Sequence, residues 1–369
     1  MRNSPKTAEQ FEKYVALSDE EREIISESSG SVFNIRATPY YLSLLKSEAG
    51  HDPLRKIVMP HRRELSEGAQ AMLDPLGEKK NNPVHRVIHR YPDRALFLIT
   101  DVCSVYCRFC TRKHFTGQEQ AFLKDEELNA ALEYFRAHRE IREVILSGGD
   151  PLTVSNSQLE KVLKGIREIE HIEIIRIGTR MPVVCPMRVD SDLARLLREY
   201  APVFVMTHFN HPRELTLEAH RGLSILVDHG IPVFNQMVLL NGVNNHPVLV
   251  QALSRKLLLS RVKPYYMFQC DPSMGTDHLR TSVEESLEIQ KSLWGKMSGL
   301  AMPNLSLDIP DGGGKVGLVP EFETYRDDKV RKYTGWDGRP GEYRNPDPSN
   351  HELPGDWMEY LDVTADPAN

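Results

Sequence analysis

The chain reads as an α/β protein whose centre is a partial barrel of six β/α repeats. Three observations predict this. Short apolar runs of strand length recur along residues 89–297, amphipathic stretches of helix length separate them, and the segments richest in Gly, Cys and His fall just after the runs. Alternation of this kind builds a parallel sheet, and right-handed crossovers curl that sheet into a barrel. In such barrels chemistry gathers on the loops after the strands' C-terminal ends.

Taken in order, residues 1–88 read as a helical, polar region. Ser18-x-x-Glu21 is a capping-box helix start, and Pro, Gly and Asn punctuate residues 74–83. Nothing in this stretch points to catalysis. Strands are predicted near 95–100, 143–147, 172–178, 203–207, 231–239 and 262–267, with helices over stretches such as 125–139, 155–169, 214–228 and 281–296. Residues 298–369 form a C-terminal segment that carries a glycine-rich lysine loop and then a tail from about Tyr333, with Trp336, Trp357 and many Pro, Gly and Asp residues. No role is legible in the tail.

The length of 369 residues accommodates one large domain with appendages. A net charge of −6, with acidic and basic residues mixed along the chain, argues against nucleic acid or an anionic membrane as partner. No run approaches the roughly 18 apolar residues that a membrane span needs. The expectation is a cytoplasmic protein acting on a small molecule.

Three of the five cysteines sit within eight residues, as Cys103, Cys107 and Cys110, directly after the first apolar run. A 4Fe-4S cluster held by three thiolates keeps one iron without a protein ligand, and an open iron can bind and reduce a small molecule. Structural zinc is the competing reading, with His114 as fourth ligand, but paired Cys-x-x-Cys knuckles are its usual form. A disulfide suits neither the odd cysteine count nor a reducing compartment. The Cys-x3-Cys-x2-Cys spacing, with Tyr106 before the second thiol, resembles the signature of radical S-adenosylmethionine enzymes.

Other loops fall at the same end of the predicted barrel. Ser147-Gly148-Gly149-Asp150 offers close backbone approach and a carboxylate for an ammonium group, or simply a tight turn. Thr207-His208-Phe209-Asn210-His211 holds two histidines, suited to acid–base chemistry, to a metal, or to ordinary hydrogen bonding. Asn235 and Gln236 lie inside an apolar strand, where an amide needs a ligand or an internal partner. Asp308-Ile-Pro-Asp-Gly-Gly-Gly-Lys315 lacks the spacing of a Walker phosphate loop. Either it is a linker, or it gives Lys315 freedom to reach a cofactor such as pyridoxal phosphate.

As a whole, residues 39–332 resemble the lysine 2,3-aminomutases. The resemblance runs through His89-Arg-Tyr-Pro-Asp-Arg94, the cysteine run to Arg112, Leu146-Ser-Gly-Gly-Asp150, Thr207-His-Phe-Asn-His-Pro212, Val262-Lys-Pro-Tyr-Tyr266, Gln269-Cys-Asp271 and the lysine loop. It implies a radical S-adenosylmethionine barrel whose cluster is held by Cys103, Cys107 and Cys110. Ser147, Gly148, Gly149, Asp150, His208 and Gln236 would contact S-adenosylmethionine. Lys315 would hold pyridoxal phosphate, with Arg90 and Arg94 on its phosphate. Arg112 would pair with the substrate carboxylate, and Asp271 and Asp308 with the far ammonium of lysine. The implied reaction moves the α-amino group of L-lysine to C3 through a 5′-deoxyadenosyl radical, fed by a donor such as flavodoxin or ferredoxin.

The sequence departs from the family's longer form in three places. No cysteine follows Cys270 and His246 stands where an earlier zinc ligand would, so no interface zinc is expected; a homo-oligomer is an expectation only by analogy. Asp311 replaces a loop glycine. Phe268 replaces a tyrosine. Arginine or a protein-bound lysine as substrate, and a non-catalytic iron–sulfur protein, are the alternatives.

Overall fold

The computed structural model describes residues 4–27, 35–46, 52–65, 70–119, 121–348 and 355; Trp357, singled out in the tail, lies outside them. Two compact units divide the chain, Met1–Pro320 and Glu321–Asn369.

The first unit is built on a nine-stranded sheet whose spatial order is its chain order. Its strands are β1 (Val87–Tyr91), β2 (Arg94–Thr100), β3 (Glu143–Gly148), β4 (Ile174–Gly178), β5 (Val203–Thr207), β6 (Val233–Val238), β7 (Lys263–Phe268), β8 (Asn304–Ile309) and β9 (Gly314–Gly317). The six predicted strands are β2 to β7. Sequence reasoning stopped one short, because β8 pairs parallel with β7 and makes a seventh parallel strand. β1 and β9 flank the set as antiparallel neighbours of β2 and β8. The Lys315 backbone N–H donates to the Tyr91 hydroxyl at 2.9 Å, which ties the two ends of the sheet to each other and nearly closes the barrel.

Local chemistry starts the crossover helices. Ser155, Asp190, Thr216, His246 and Ser282 each accept a backbone N–H of the helix that follows, at Asn156–Arg167, Ser191–Glu199, Leu217–Asp228, Pro247–Leu259 and Val283–Leu293. Each such cap is worth about 1 kcal/mol. The helices bury their apolar stripes on the outer face of the sheet; Leu159, Val162, Leu163 and Ile166 are all fully buried. His246 therefore has a structural job as a cap.

The N-terminal region holds four short helices, Ala8–Glu12, Asp19–Glu27, Pro39–Ser43 and Pro53–Val58. The Ser18/Glu21 box forms in both directions, at 2.8 and 3.1 Å. This region braces the cysteine loop. The Tyr106 N–H donates to the Arg36 carbonyl, the Arg108 N–H donates to the Ile57 carbonyl, and the Arg108 guanidinium forms a buried ion pair with Glu64.

The second unit contains a three-stranded antiparallel sheet, β10 (Glu323–Arg326), β11 (Val330–Thr334) and β12 (Pro340–Arg344), in that order. No described helix is long and apolar enough to cross a membrane.

Candidate active site

One cavity of about 640 Å³ lies within the barrel, and every residue to which the family resemblance gives a cluster, cofactor or substrate role lines it. The residues come from loops far apart in the chain, so the parallel strands do the gathering. His114, the candidate fourth zinc ligand, bonds the Leu73 carbonyl instead and stays outside the lining.

Cys103, Cys107 and Cys110 sit on the loop after β2. Burial pushes the Cys103 and Cys110 thiols up, and charge on a neighbouring thiol adds to the effect. Such thiols stay protonated until a metal displaces the proton. Cys110 Sγ accepts the Arg112 N–H at 3.3 Å, and Cys107 Sγ accepts from Arg180 at 2.8 Å. Among the described residues, no three His, Cys, Asp or Glu side chains converge on one ion. Three separated thiols on one rim fit a multi-iron cluster, which is larger than a single ion.

The glycine pair explains how that loop is held. Gly149 N–H donates to the Thr100 carbonyl at 2.6 Å, and Asp150 N–H to the Val102 carbonyl at 2.8 Å, fusing the β3 loop to the start of the cysteine loop. A Cβ on Gly149 would stand 2.2 Å from the Val102 oxygen, so only glycine permits this approach. The close backbone partner is thus the protein itself. Asp150 is also committed internally: its oxygens accept from Leu152 N–H, the Thr179 hydroxyl and Arg180 N–H, at 3.0, 2.6 and 2.7 Å.

The two histidines separate cleanly. His211 caps a short turn by accepting the Arg213 N–H. His208 stacks on Phe109 with ring centroids 5.3 Å apart, and its buried Nε2 has no partner in the protein. Burial, helped by the Arg180 charge, pushes its pKa down to about 3, so the ring is neutral and its unpartnered nitrogen suits a polar ligand. The two amides divide the same way. Asn235 bonds both the N–H and carbonyl of Phe209, at 2.7 and 3.0 Å, while Gln236 faces the cavity.

At the other side of the cavity stands a cationic group. Lys315 Nζ lies 2.7 Å from Asp308, and Arg90 lies 3.1 Å from the same carboxylate. Arg90 also donates to the Tyr91 hydroxyl and the Leu76 carbonyl. Arg94 stacks on the Tyr91 ring at 4.0 Å. The Lys315 ammonium faces Phe268 at 4.1 Å, and Phe268 stacks in turn on Tyr266. Arg112 donates from Nε to both Glu78 oxygens, with Nη2 2.7 Å from one of them, and from Nη1 to Ser147. Asp271, near Asp308 and Lys315, is pushed up to about 7, chiefly by burial and then by the Asp308 charge.

Comparison with known proteins reads this arrangement. Residues 97–250 match the radical SAM superfamily model. An L-lysine 2,3-aminomutase of Clostridium subterminale is 44% identical over 322 residues, covering 87% of this chain and 77% of that protein. One of Fusobacterium nucleatum is 40% identical, covering 95% and 83%. This chain belongs to the lysine 2,3-aminomutase family. It is accordingly an isomerase, a radical SAM aminomutase that works with a 4Fe-4S cluster and S-adenosylmethionine. A glutamate 2,3-aminomutase of Clostridioides difficile is similar too, at 39% identity with 89% and 77% covered, so the side chain accepted by a given member has to be argued from its own residues.

Three residues of this aminomutase's cavity escaped sequence reasoning. Glu78 sits in the region that looked non-catalytic, and its only signal is the turn composition around it. Arg180 carries no motif, but it follows β4 at the functional end, as the other loops follow their strands. Tyr91 stands inside the motif of Arg90 and Arg94, and it was passed over because only the cations suggested chemistry.

Proposed function

We propose that this aminomutase acts on L-lysine and yields β-lysine, using pyridoxal phosphate on Lys315 together with the cluster and S-adenosylmethionine. One observation carries the reading: the ammonium of Lys315, itself a lysine side chain, already rests 2.7 Å from Asp308 with Asp271 close by. Two carboxylates in a partly buried pocket stabilise a cation and repel the second carboxylate of glutamate. When bound, the cluster with S-adenosylmethionine supplies a radical that takes hydrogen from carbon, and pyridoxal phosphate supplies an aldehyde that carries the migrating nitrogen.

The chain's own residues do the rest by placement. Arg90 and Arg94, both anchored on Tyr91, present fixed donors suited to a phosphate. Arg112 offers donors to the substrate carboxylate and the aspartates accept the far ammonium, so the substrate is held by two charge contacts of opposite sign. His208 and Gln236 offer polar edges beside the cysteine loop for the nucleoside end of S-adenosylmethionine. Such fixed placement is the main catalytic contribution open to a protein that borrows its chemistry from cofactors. The setting that follows is the cytoplasm, with a one-electron carrier such as flavodoxin or ferredoxin as reductant.

The test is anaerobic incubation of the reduced enzyme with S-adenosylmethionine and, separately, lysine, arginine and glutamate, with β-isomers read by mass spectrometry. Lysine is expected to turn over and glutamate not to. Asp308→Asn should cut kcat/KM for lysine at least about a hundredfold, the roughly 3 kcal/mol that a partly buried charge contact contributes. Preference for arginine, or an unaffected Asp308→Asn enzyme, would overturn the assignment.

A further inference from the structure

The strap over residues 72–82 touches four separate parts of the cavity. The Met72 N–H donates to the Pro272 carbonyl and the Met72 carbonyl accepts the Met274 N–H, next to Asp271. The Pro75 carbonyl accepts the Asp311 N–H in the lysine loop at 2.8 Å. The Leu76 carbonyl accepts from Arg90 at 3.1 Å. Glu78 then reaches Arg112, with both carboxylate oxygens at 2.8 and 2.9 Å from Nε and one at 2.7 Å from Nη2.

We propose that Glu78 is a positioning residue for the reaction: it holds Arg112 by the Nε edge of the guanidinium so that the adjoining terminal edge meets the substrate's α-carboxylate. This rests on the reading of Arg112 as the carboxylate partner. A guanidinium has five N–H donors. Glu78 takes the one on Nε with both of its oxygens and stands 2.7 Å from Nη2, and Ser147 takes one of Nη1 at 3.0 Å. The terminal edge, with a hydrogen on Nη1 and one on Nη2, is left for a carboxylate.

Glu78 is built to stay in place. Its side chain is only 8% exposed. Its own N–H and that of Lys79 both donate to the Asp74 carboxylate, at 2.9 and 2.8 Å, which locks the turn. Gly77 has φ +62°, and a Cβ there would stand 3.0 Å from the Gly312 backbone, so the turn is pressed against the lysine loop. The strap thus sets one end of the substrate from the same eleven residues that rest on the loop of Lys315.

The experiment uses the loaded, reduced enzyme and compares L-lysine with 1,5-diaminopentane, which is lysine without its carboxylate. Glu78→Gln is isosteric. It is expected to raise the KM for lysine about tenfold while kcat falls less, and to leave the inhibition constant of the diamine within about twofold. The shift in Tm caused by each ligand should follow the same split. In an Arg112→Lys background Glu78→Gln should add less than about twofold, since its effect runs through Arg112. Asp74→Asn, which loosens the turn without touching the ion pair, should shift KM in the same direction and covers the case in which Glu78→Gln folds poorly. A lower KM would make Glu78 a competitor of the substrate and overturn the proposal, as would an unchanged KM or equal loss for lysine and the diamine. If Arg112→Lys alone leaves the KM for lysine unchanged, it is the reading of Arg112 that fails.

Discussion

In the proposed substrate pocket, Asp271 is the side chain through which pH should govern lysine binding. Burial and the Asp308 charge raise it from 3.8 to about 7, against the opposing charge of Lys315. Between those values the folded protein holds a proton that the unfolded chain has released, so this group's contribution to stability declines as pH rises through about 7. Binding has the opposite sign, because an ammonium ligand favours the ionised carboxylate. The KM for lysine should therefore be flat above about pH 7 and climb below it, towards about tenfold per pH unit. Asp271→Asn should have a higher KM at pH 8 and no inflection near 7. An inflection that survives this substitution would place the titration elsewhere. Chemistry-bearing residues of this sort were legible from the sequence because they stand in compact motifs. Arg180 was not, although its buried guanidinium joins Cys107 to Glu214 and reaches the Tyr41 hydroxyl. Its partners come from three distant segments, and a network of that kind leaves no spacing to read.

Elements tell a similar story. β2 to β7 were readable because buried parallel strands are apolar on both faces and bounded by helix caps. β8 was not, because its Leu305, Leu307 and Ile309 alternate with polar residues and run straight into the lysine loop. The strap over 72–82 escaped for a different reason: its conformation depends on Asp74 and on distant loops, so composition shows only a turn. The lysine loop shows why a glycine is usual where Asp311 stands, since that residue adopts φ +59° and Gly312 and Gly314 follow at +77° and +92°. Aspartate tolerates this region better than most residues, and here its carboxylate also meets Lys80 at 3.1 Å. The β3 loop has less latitude. Gly149→Ala drives a Cβ to 2.2 Å from the Val102 oxygen, and hydrogen bonds hold the main chain in place on both sides of that contact. The expected cost is about 1–3 kcal/mol, with a matching fall in Tm and in iron bound per chain. Normal iron content in this variant would show that the cysteine loop does not depend on its link to β3.

On the scale of the whole molecule, the candidate site and the described core both end before Glu321. The last cavity residue is Lys315, and the sheet that carries it ends with β9 at Gly317. Leu318 packs on the core, whereas no described residue beyond Pro320 is buried. The three strands that follow pair with one another, and Tyr325 and Tyr343 on them and Trp336 between them are exposed. Burial of apolar surface is the dominant source of stability, so a unit with none of the core contributes little to it. A chain ending at Pro320 should unfold in one cooperative transition within about 3 °C of the full chain, a change of about 2 kcal/mol for a domain of this size. It should also bind the same iron per chain and keep its KM for lysine. A broad or much lower transition would mean that the tail supports the barrel. A normal transition with lost turnover would mean instead that Glu321–Asn369 acts on catalysis without being needed for the fold, and measuring both quantities on one preparation separates the two outcomes.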